Sequence, residues 1–490
     1  MKITGLLALL TLAAACDAAP AVVVVASTDC GDAAVDASPD VAEDTAPDLA
    51  PDSAPDVTPD ATPDAPPSTC PAPGAAGTIS VGPGDSLQAA VNASITGTVI
   101  YVAAGTYAPF VVNGKAPAIC CDPGVSIVGT GPGSAVVRFT ASTTQAPTAP
   151  VASMHGPCVV KGGGPGIQVS GPPVLLEGVI VEDNTTSGST AGGGIQFAQS
   201  APWPFSPALT LRNVTIRRNS GHTGGGLVAS MAAANALTIE DSTIEDNIAR
   251  GGDGGGVNVT GGSPVVTGSA FRRNSLSVVY ANGGAFTFAR QSNCSPASAT
   301  FRENVFESNT APSHTGGVFV DEGATATFTR DLFVGNAGGT VGGGAIGVDG
   351  GSCGRSAITV DGVVFVGNGS AGKPGAAVLL RASSGTAAGS SDATVRNSIA
   401  RDNVGTDYSP SGVGSVIGVS YGIHQTSSGG GTLTLGPGVQ VGADPLFGAD
   451  YHLGAGSPGI NAGDPASSCS VEPNGCPVDL GRWGGTASAP

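Results

Sequence analysis

Between residues 176 and 403 apolar and polar positions fall into fixed columns. A short pattern, apolar-x-x-Asn, occurs eight times and ends at Asn184, Asn219, Asn247, Asn274, Asn309, Asn336, Asn368 and Asn403. Successive asparagines are 35, 28, 27, 35, 27, 32 and 35 residues apart. Five residues before each leading apolar position stands another, from Leu176 and Leu211 through to Val360 and Val395. Five to nine residues after each of the first seven asparagines glycine opens a further apolar stretch, as at Gly224, Gly225 and Gly226 before Leu227. Recurrent columns at this period are the mark of a solenoid. Within the repeat, stretches such as 209–211, 236–239 and 357–360 alternate at period two and are rich in β-branched residues, and none carries a helical stripe. Each repeat therefore holds about three short strands separated by turns. Stacking such coils gives parallel sheets with strands ~4.8 Å apart, an all-β parallel β-helix.

The columns then acquire physical roles. Phe271, Phe306, Phe333 and Phe365 occupy one column in four consecutive coils, so their rings are expected to stack inside the barrel at ~5 Å, within the favourable range for aromatic pairs. The asparagines are expected at a corner in the left-handed conformation, bonded to one another along the axis as asparagine ladders are in other stacked β structures. The glycine clusters supply positive φ at the next corner. Asp85 to Ala93 reads as a short capped amphipathic helix ahead of the strand and turn at 99–107. That helix-then-strand opening resembles pectate-lyase-like β-helix proteins, which implies a right-handed, three-sheet coil plugged by the helix. Asp444, Pro445, Leu446, Phe447, Tyr451, His452, Leu453 and the 456–460 and 479–482 stretches resemble the closing segment of bacterial β-helix repeat proteins. Such a segment is expected to cover the last apolar coil, since an uncovered one aggregates. The body is thus expected over residues 77–443 and the cap over 444–490.

The Phe-x-x-Asn motif paired with Gly-Gly-Ala-apolar, as at Gly283 to Phe286, resembles the repeats of polymorphic outer-membrane proteins over roughly residues 170–405. That resemblance implies a surface adhesin. Members of that family end in a membrane β-barrel, whereas no run of amphipathic barrel strands follows the repeats here, which points to attachment at the other end of the chain.

Met1 and Lys2 precede an apolar run over 6–15 and then Cys16. The run is too short to span a bilayer core and reads as a secretory signal over residues 1–15. A cysteine directly after small residues resembles a bacterial lipoprotein signal, which implies cleavage before Cys16 and lipidation there. Ala13, Ala14 and Ala15 also suit an ordinary signal peptidase, which would release a secreted protein. Residues 16–76 then hold twelve acidic residues with no Lys or Arg, and Pro-Asp settles into a four-residue period. Repelling carboxylates, missing backbone donors and little to bury predict a disordered, extended stalk.

Composition narrows function further. The 490 residues carry 37 acidic and 19 basic side chains, a net charge of -18, and 78 glycines. No basic patch is available to neutralise phosphates, which excludes nucleic acid as a partner, and an anionic membrane is not held by charge. With a signal segment, ten cysteines imply an oxidising compartment. Cys469 and Cys476 are candidates to pair in the closing segment, and Cys294 and Cys353 across two insertions. Cys70, Cys120, Cys121 and Cys158 are read as two bridges of open connectivity, with Cys30 alone.

His222 and His314 share the sequence His-Thr-Gly-Gly. Their coils are three apart, ~14 Å at one strand spacing per coil, so they cannot share an ion and are read as turn residues. No metal, cofactor or catalytic set is assigned. The acidic residues beside the corner asparagines are read as solvated turn residues, and Arg217, Arg218, Glu245, Asp246, Arg272 and Arg273 as ion pairs between coils. The expectation is a monomeric, lipid-anchored surface or outer-membrane protein without catalytic activity. Its β-helix would serve adhesion, surface-glycan or envelope-protein binding, or envelope structure. The alternative is a polysaccharide lyase or glycoside hydrolase on the same fold.

Overall fold

The computed structural model describes residue 70 and residues 77–140, 151–187, 192–198, 207–232, 235–382, 389–448, 450–466 and 478–482. The signal segment, Cys16, Cys30, the Pro-Asp stalk and the Cys469 and Cys476 pair lie outside the described residues.

Each strand pairs in parallel with the strand holding the same place one coil before and one coil after. Phe271 faces Phe306, Phe306 faces Phe333, and Phe333 faces Phe365 in consecutive ladders. Three faces result. Face one runs from Thr78–Val81 through Ala152–His155, Val174–Glu177 and Ala208–Arg212 to Thr432–Leu435. Face two runs from Gly105–Tyr107 through Thr215–Arg217 and Val364–Val366 to Val439–Val441. Face three is an 11-stranded sheet from Phe110–Asn113 to Tyr408–Pro410. Ser391–Arg401 and Val416–His424 pass unbroken from face one into face two, joining both into one 25-stranded network. A narrow ladder of two-residue strands, Ser220–Gly221 to Ala337–Gly338, lines the corner after face two.

Period-two alternation decides what is inside. Val257 and Val259 point inward and are buried, while Asn258 between them is partly exposed. Stacking identical positions lets one residue type fill a whole column. The rings of Phe271 and Phe306 lie 4.9 Å apart, Phe306 and Phe333 4.5 Å, and Phe333 and Phe365 5.4 Å, all stacked. Phe301 and Phe328 form a second stack at 4.8 Å on face one. The glycine clusters stack as well. A Cβ on Gly225 would meet the Gly255 carbonyl oxygen at 2.4 Å, and one on Gly255 the Gly284 oxygen at 2.3 Å. Only glycine lets the coils approach so closely there.

At the N-terminal end the helix Leu87–Ala93 closes the core by burying Leu87, Ala90 and Val91, with the Ser86 hydroxyl accepting the Ala89 N–H at 3.1 Å. Disulfides join Cys70 to Cys120, Cys121 to Cys158, and Cys294 to Cys353. The last of these bridges the insertions of two different coils.

Two expectations change. The left-handed residue at the asparagine corner is the one before each Asn: Asp183, Arg218, Asp246, Arg273, Ser308 and Asp402 have φ between 51° and 54°. The asparagine side chain is needed inside the turn, so its neighbour absorbs the bend. The closing segment also differs. Its described residues are 444–448, 450–466 and 478–482, and the last stretch lies along the outside of face two, where Leu480 packs with outward-facing Ile399 and Ile423, joined by Phe447 and Leu453. Arg482 reaches the Glu303 carbonyl at 3.0 Å. Leu435 and Val441 in the final coil stay 46% and 60% exposed. An apolar outward row on face two offered the segment more to bury than the short last coil.

Candidate functional site

The corner after face two is structural. Each ladder asparagine from Asn184 to Asn368 donates its Nδ2–H to the next coil's Oδ1 at 2.9–3.2 Å, and its backbone N–H to the same oxygen. Nδ2 also donates to a carbonyl of the coil before, as from Asn184 to Val160 at 3.0 Å and from Asn309 to Phe271 at 2.9 Å. The ladder ends when Asn403 donates to buried Asp407 at 2.9 Å. All its buried polar atoms find partners, leaving nothing for a ligand.

The corner between faces one and two carries a second ladder with varied chemistry. The Val214 N–H donates to Ser242 Oγ, Ser242 N–H to Ser269 Oγ, Ser269 N–H to Asn304 Oδ1, and Asn304 N–H to Asp331 Oδ1. Asp331 is fully buried, and burial pushes its carboxyl up to about 7 against the opposing bonds from Asn304 and Thr329 and the positive field of Arg482.

Outside face two, the charged residues pair across coils. Arg218 lies 2.8 Å from Glu182 and 3.0 Å from Asp183, Arg273 2.9 Å from Glu245 and 2.8 Å from Asp246, and Arg272 3.1 Å from Glu307. These charges neutralise one another at the surface.

Face three divides in two. In its first half the outward positions carry Gln168, Gln196, Val228 and Asn258 in one row and Ser170, Ala198, Ser230 and Thr260 beside it. All are partly or fully exposed, and the three amides make no hydrogen bond to another described residue. From the next coil the same row becomes Thr287, Phe319, Gly347 and Leu379, all buried. Beside it stand Asp321, Asp349 and Arg381. Arg381 lies 3.3 Å from Asp349 and also contacts Nε2 of His314. Burial, with Arg381 adding to it, pushes His314 down to about 4, so its ring is neutral and Nε2 accepts from the guanidinium. Burial also pushes Asp321 up to about 7, with Asp349 and Glu322 adding repulsion and a Glu322 N–H bond opposing them. His314 is therefore more than a turn residue, while His222 stays at its turn, over Gly251.

Face one holds a third arrangement, which the sequence reading passed over. Ser153 and His155 are alternate residues of the strand Ala152–His155 and both point outward. His155 is paired in register with Glu177 of the next coil. Its Nδ1 lies 2.9 Å from Glu177 Oε2 and its Nε2 2.8 Å from Ser153 Oγ. A carboxylate only accepts, so Nδ1 carries the proton, and in the neutral ring Nε2 is the acceptor for the seryl hydroxyl. Arg212 in the following coil lies 3.7 Å from the other Glu177 oxygen. The three residues are 2–7% exposed. Ser-x-His on a strand, with an acid one coil later, is a readable signal. Its Ser-x-His part sits one coil before the first asparagine repeat, where no column drew attention to it.

Residues 212–365 match the family model described as the right handed beta helix region. The coil is right-handed. Two solved structures are similar: the catalytic unit of a thermostable GH87 alpha-1,3-glucanase from Streptomyces thermodiastaticus and the pectate lyase Pel9A. The glucanase is 14% identical, with 75% of this chain and 70% of that one covered at a TM-score of 0.41. For the lyase the values are 13%, 83%, 96% and 0.40. No curated protein matches this chain.

Proposed function

We propose that this right-handed β-helix is an exported envelope protein, lipid-anchored through Cys16, whose third face binds surface glycans or a neighbouring envelope component. The observation that carries the reading is the open half of face three. Gln168, Gln196 and Asn258 stand in one outward row with unpartnered amides, next to a row of seryl and threonyl hydroxyls. Neutral donors and acceptors at regular ~4.8 Å steps suit a polyhydroxylated chain lying along the axis. Three disulfides support an oxidising compartment.

Retention of the full chain on a panel of anionic and neutral polysaccharides tests this reading. The expected result is binding without cleavage, weakened at least fivefold by Gln196→Ala with Asn258→Ala. Retention unchanged in the double variant sinks it. Palmitate labelling that survives in Cys16→Ala sinks the anchor.

A second reading, glycoside cleavage, is favoured by Asp321. A carboxyl raised to about 7 by burial beside Asp349 has the character of a general acid with a neighbouring carboxylate. Release of reducing ends from the same panel, abolished by Asp321→Asn, would favour it over simple binding.

A further inference from the structure

We infer that Ser153, His155 and Glu177 form a nucleophilic acyl-transfer site on face one that cleaves short-chain O-acyl esters. The inference stands apart from the proposed glycan contact on face three, because it uses other residues on another face. Its basis is the relay of contacts. A nucleophile needs a base within hydrogen-bond reach, and the base needs a third group to fix its tautomer. Ser153 Oγ at 2.8 Å from Nε2 and Glu177 at 2.9 Å from Nδ1 satisfy both conditions at once. All three residues stand on rigid strands of adjacent coils rather than on loops, and the second oxygen of Glu177 is held in the field of Arg212. The Cys70–Cys120 bridge adds stiffness, since Cys120 is paired in register with His155.

The chemistry closes without a cofactor. Ser153 Oγ attacks the ester carbonyl carbon as His155 Nε2 takes the seryl proton, and the Glu177 carboxylate stabilises the imidazolium. The carbon–oxygen bond to the alcohol breaks, and His155 returns that proton to the departing alkoxide. Water then attacks the acyl-serine, its proton passing to Nε2 and from there back to Ser153 Oγ, and the carboxylic acid is released. Ser153 and His155 are the catalytic residues and Glu177 a positioning residue. Ser153 keeps only 7% of its surface accessible, which favours a small acyl group of the acetyl class.

The test uses the full disulfide-bonded chain, a fluorophosphonate probe and 4-nitrophenyl acetate. The expected result is a probe adduct on Ser153 located by peptide mass spectrometry, absent from Ser153→Ala and reduced at least tenfold in His155→Gln. Hydrolysis should fall at least a hundredfold in Ser153→Ala. In Glu177→Gln it should fall less, as a loss of kcat with KM little changed, and Glu177→Asp should recover part of the activity. Melting temperature and thiol count establish that each variant is folded. A folded wild-type chain left unlabelled, a label that persists in Ser153→Ala, or a wild-type kcat in Glu177→Gln would each overturn the assignment.

Discussion

The interior of the coil and its outer faces are built from the same strands and follow opposite rules. Inside, a position is occupied by the same kind of residue coil after coil, as in the Phe271 to Phe365 stack and the Asn184 to Asn403 ladder. Outside, neighbouring coils contribute different side chains to one row, as in Ala289, Asp321, Asp349 and Arg381. Repetition satisfies each group with a copy of itself and leaves nothing over. Chemistry needs unlike groups side by side, and it is found only where the repetition lapses.

That contrast can be broken experimentally, beginning with the interior. Phe333→Ala should lower stability by ~3–5 kcal/mol, because both stacked neighbours keep their positions around the cavity; a chemical-denaturation midpoint corresponding to less than 1 kcal/mol would remove the column from the core. Asn309→Ala strips the partner from the buried Asn274 N–H and Phe271 carbonyl, and should cost ~3 kcal/mol at one to two per orphaned group. An effect near zero would show that the ladder is decoration.

Asp331 sharpens the comparison by placing a titrating group inside a ladder. Its folded pKa, about 7, lies above the ~3.9 of an unfolded aspartate, so its penalty is absent below pH ~4. The penalty grows as pH rises and is complete above about 7. In Asp331→Asn the carboxyl's share of the pH dependence should vanish. The variant's stability relative to wild type should therefore be higher at pH 8 than at pH 4.5; equal differences at the two pH values would show the carboxylate to be ionised at no cost. The outer ion pairs come last. Arg218→Gln should change stability by ~1 kcal/mol or less, since Arg218 and Asp183 are about half exposed, and the loss should shrink in high salt. A salt-independent loss of several kcal/mol would reverse the ranking.

The same division explains what could be read from the sequence. Stacked coils force like onto like, so the repeat was visible as columns, and the ladder asparagines, the phenylalanine stack and the capping helix could all be placed from spacing alone. The left-handed corner residue was misplaced by one position because Asp, Arg, Ser and Gly all fill it, which hides it from a search for one residue type. The groups on faces one and three were hidden for a deeper reason. Ser153 and His155 stand on a coil that lacks the asparagine motif and meet Glu177 only through its register with the first coil that has it. Asp321 and His314 owe their perturbed ionisation to burial by neighbouring side chains, which a linear pattern does not carry.

The stretch 478–482 gives the barrel a directional latch. From its docking on Ile399 and Ile423 near the last coils it extends back to Glu303, well upstream. Terminal coils of a stacked array ordinarily fray first, each peeling off without disturbing the rest. Here the chain leaving the last coil is fastened further in, on Ile399, Ile423 and Glu303, so tension carried by that strap is passed to several rungs together and resisted in shear.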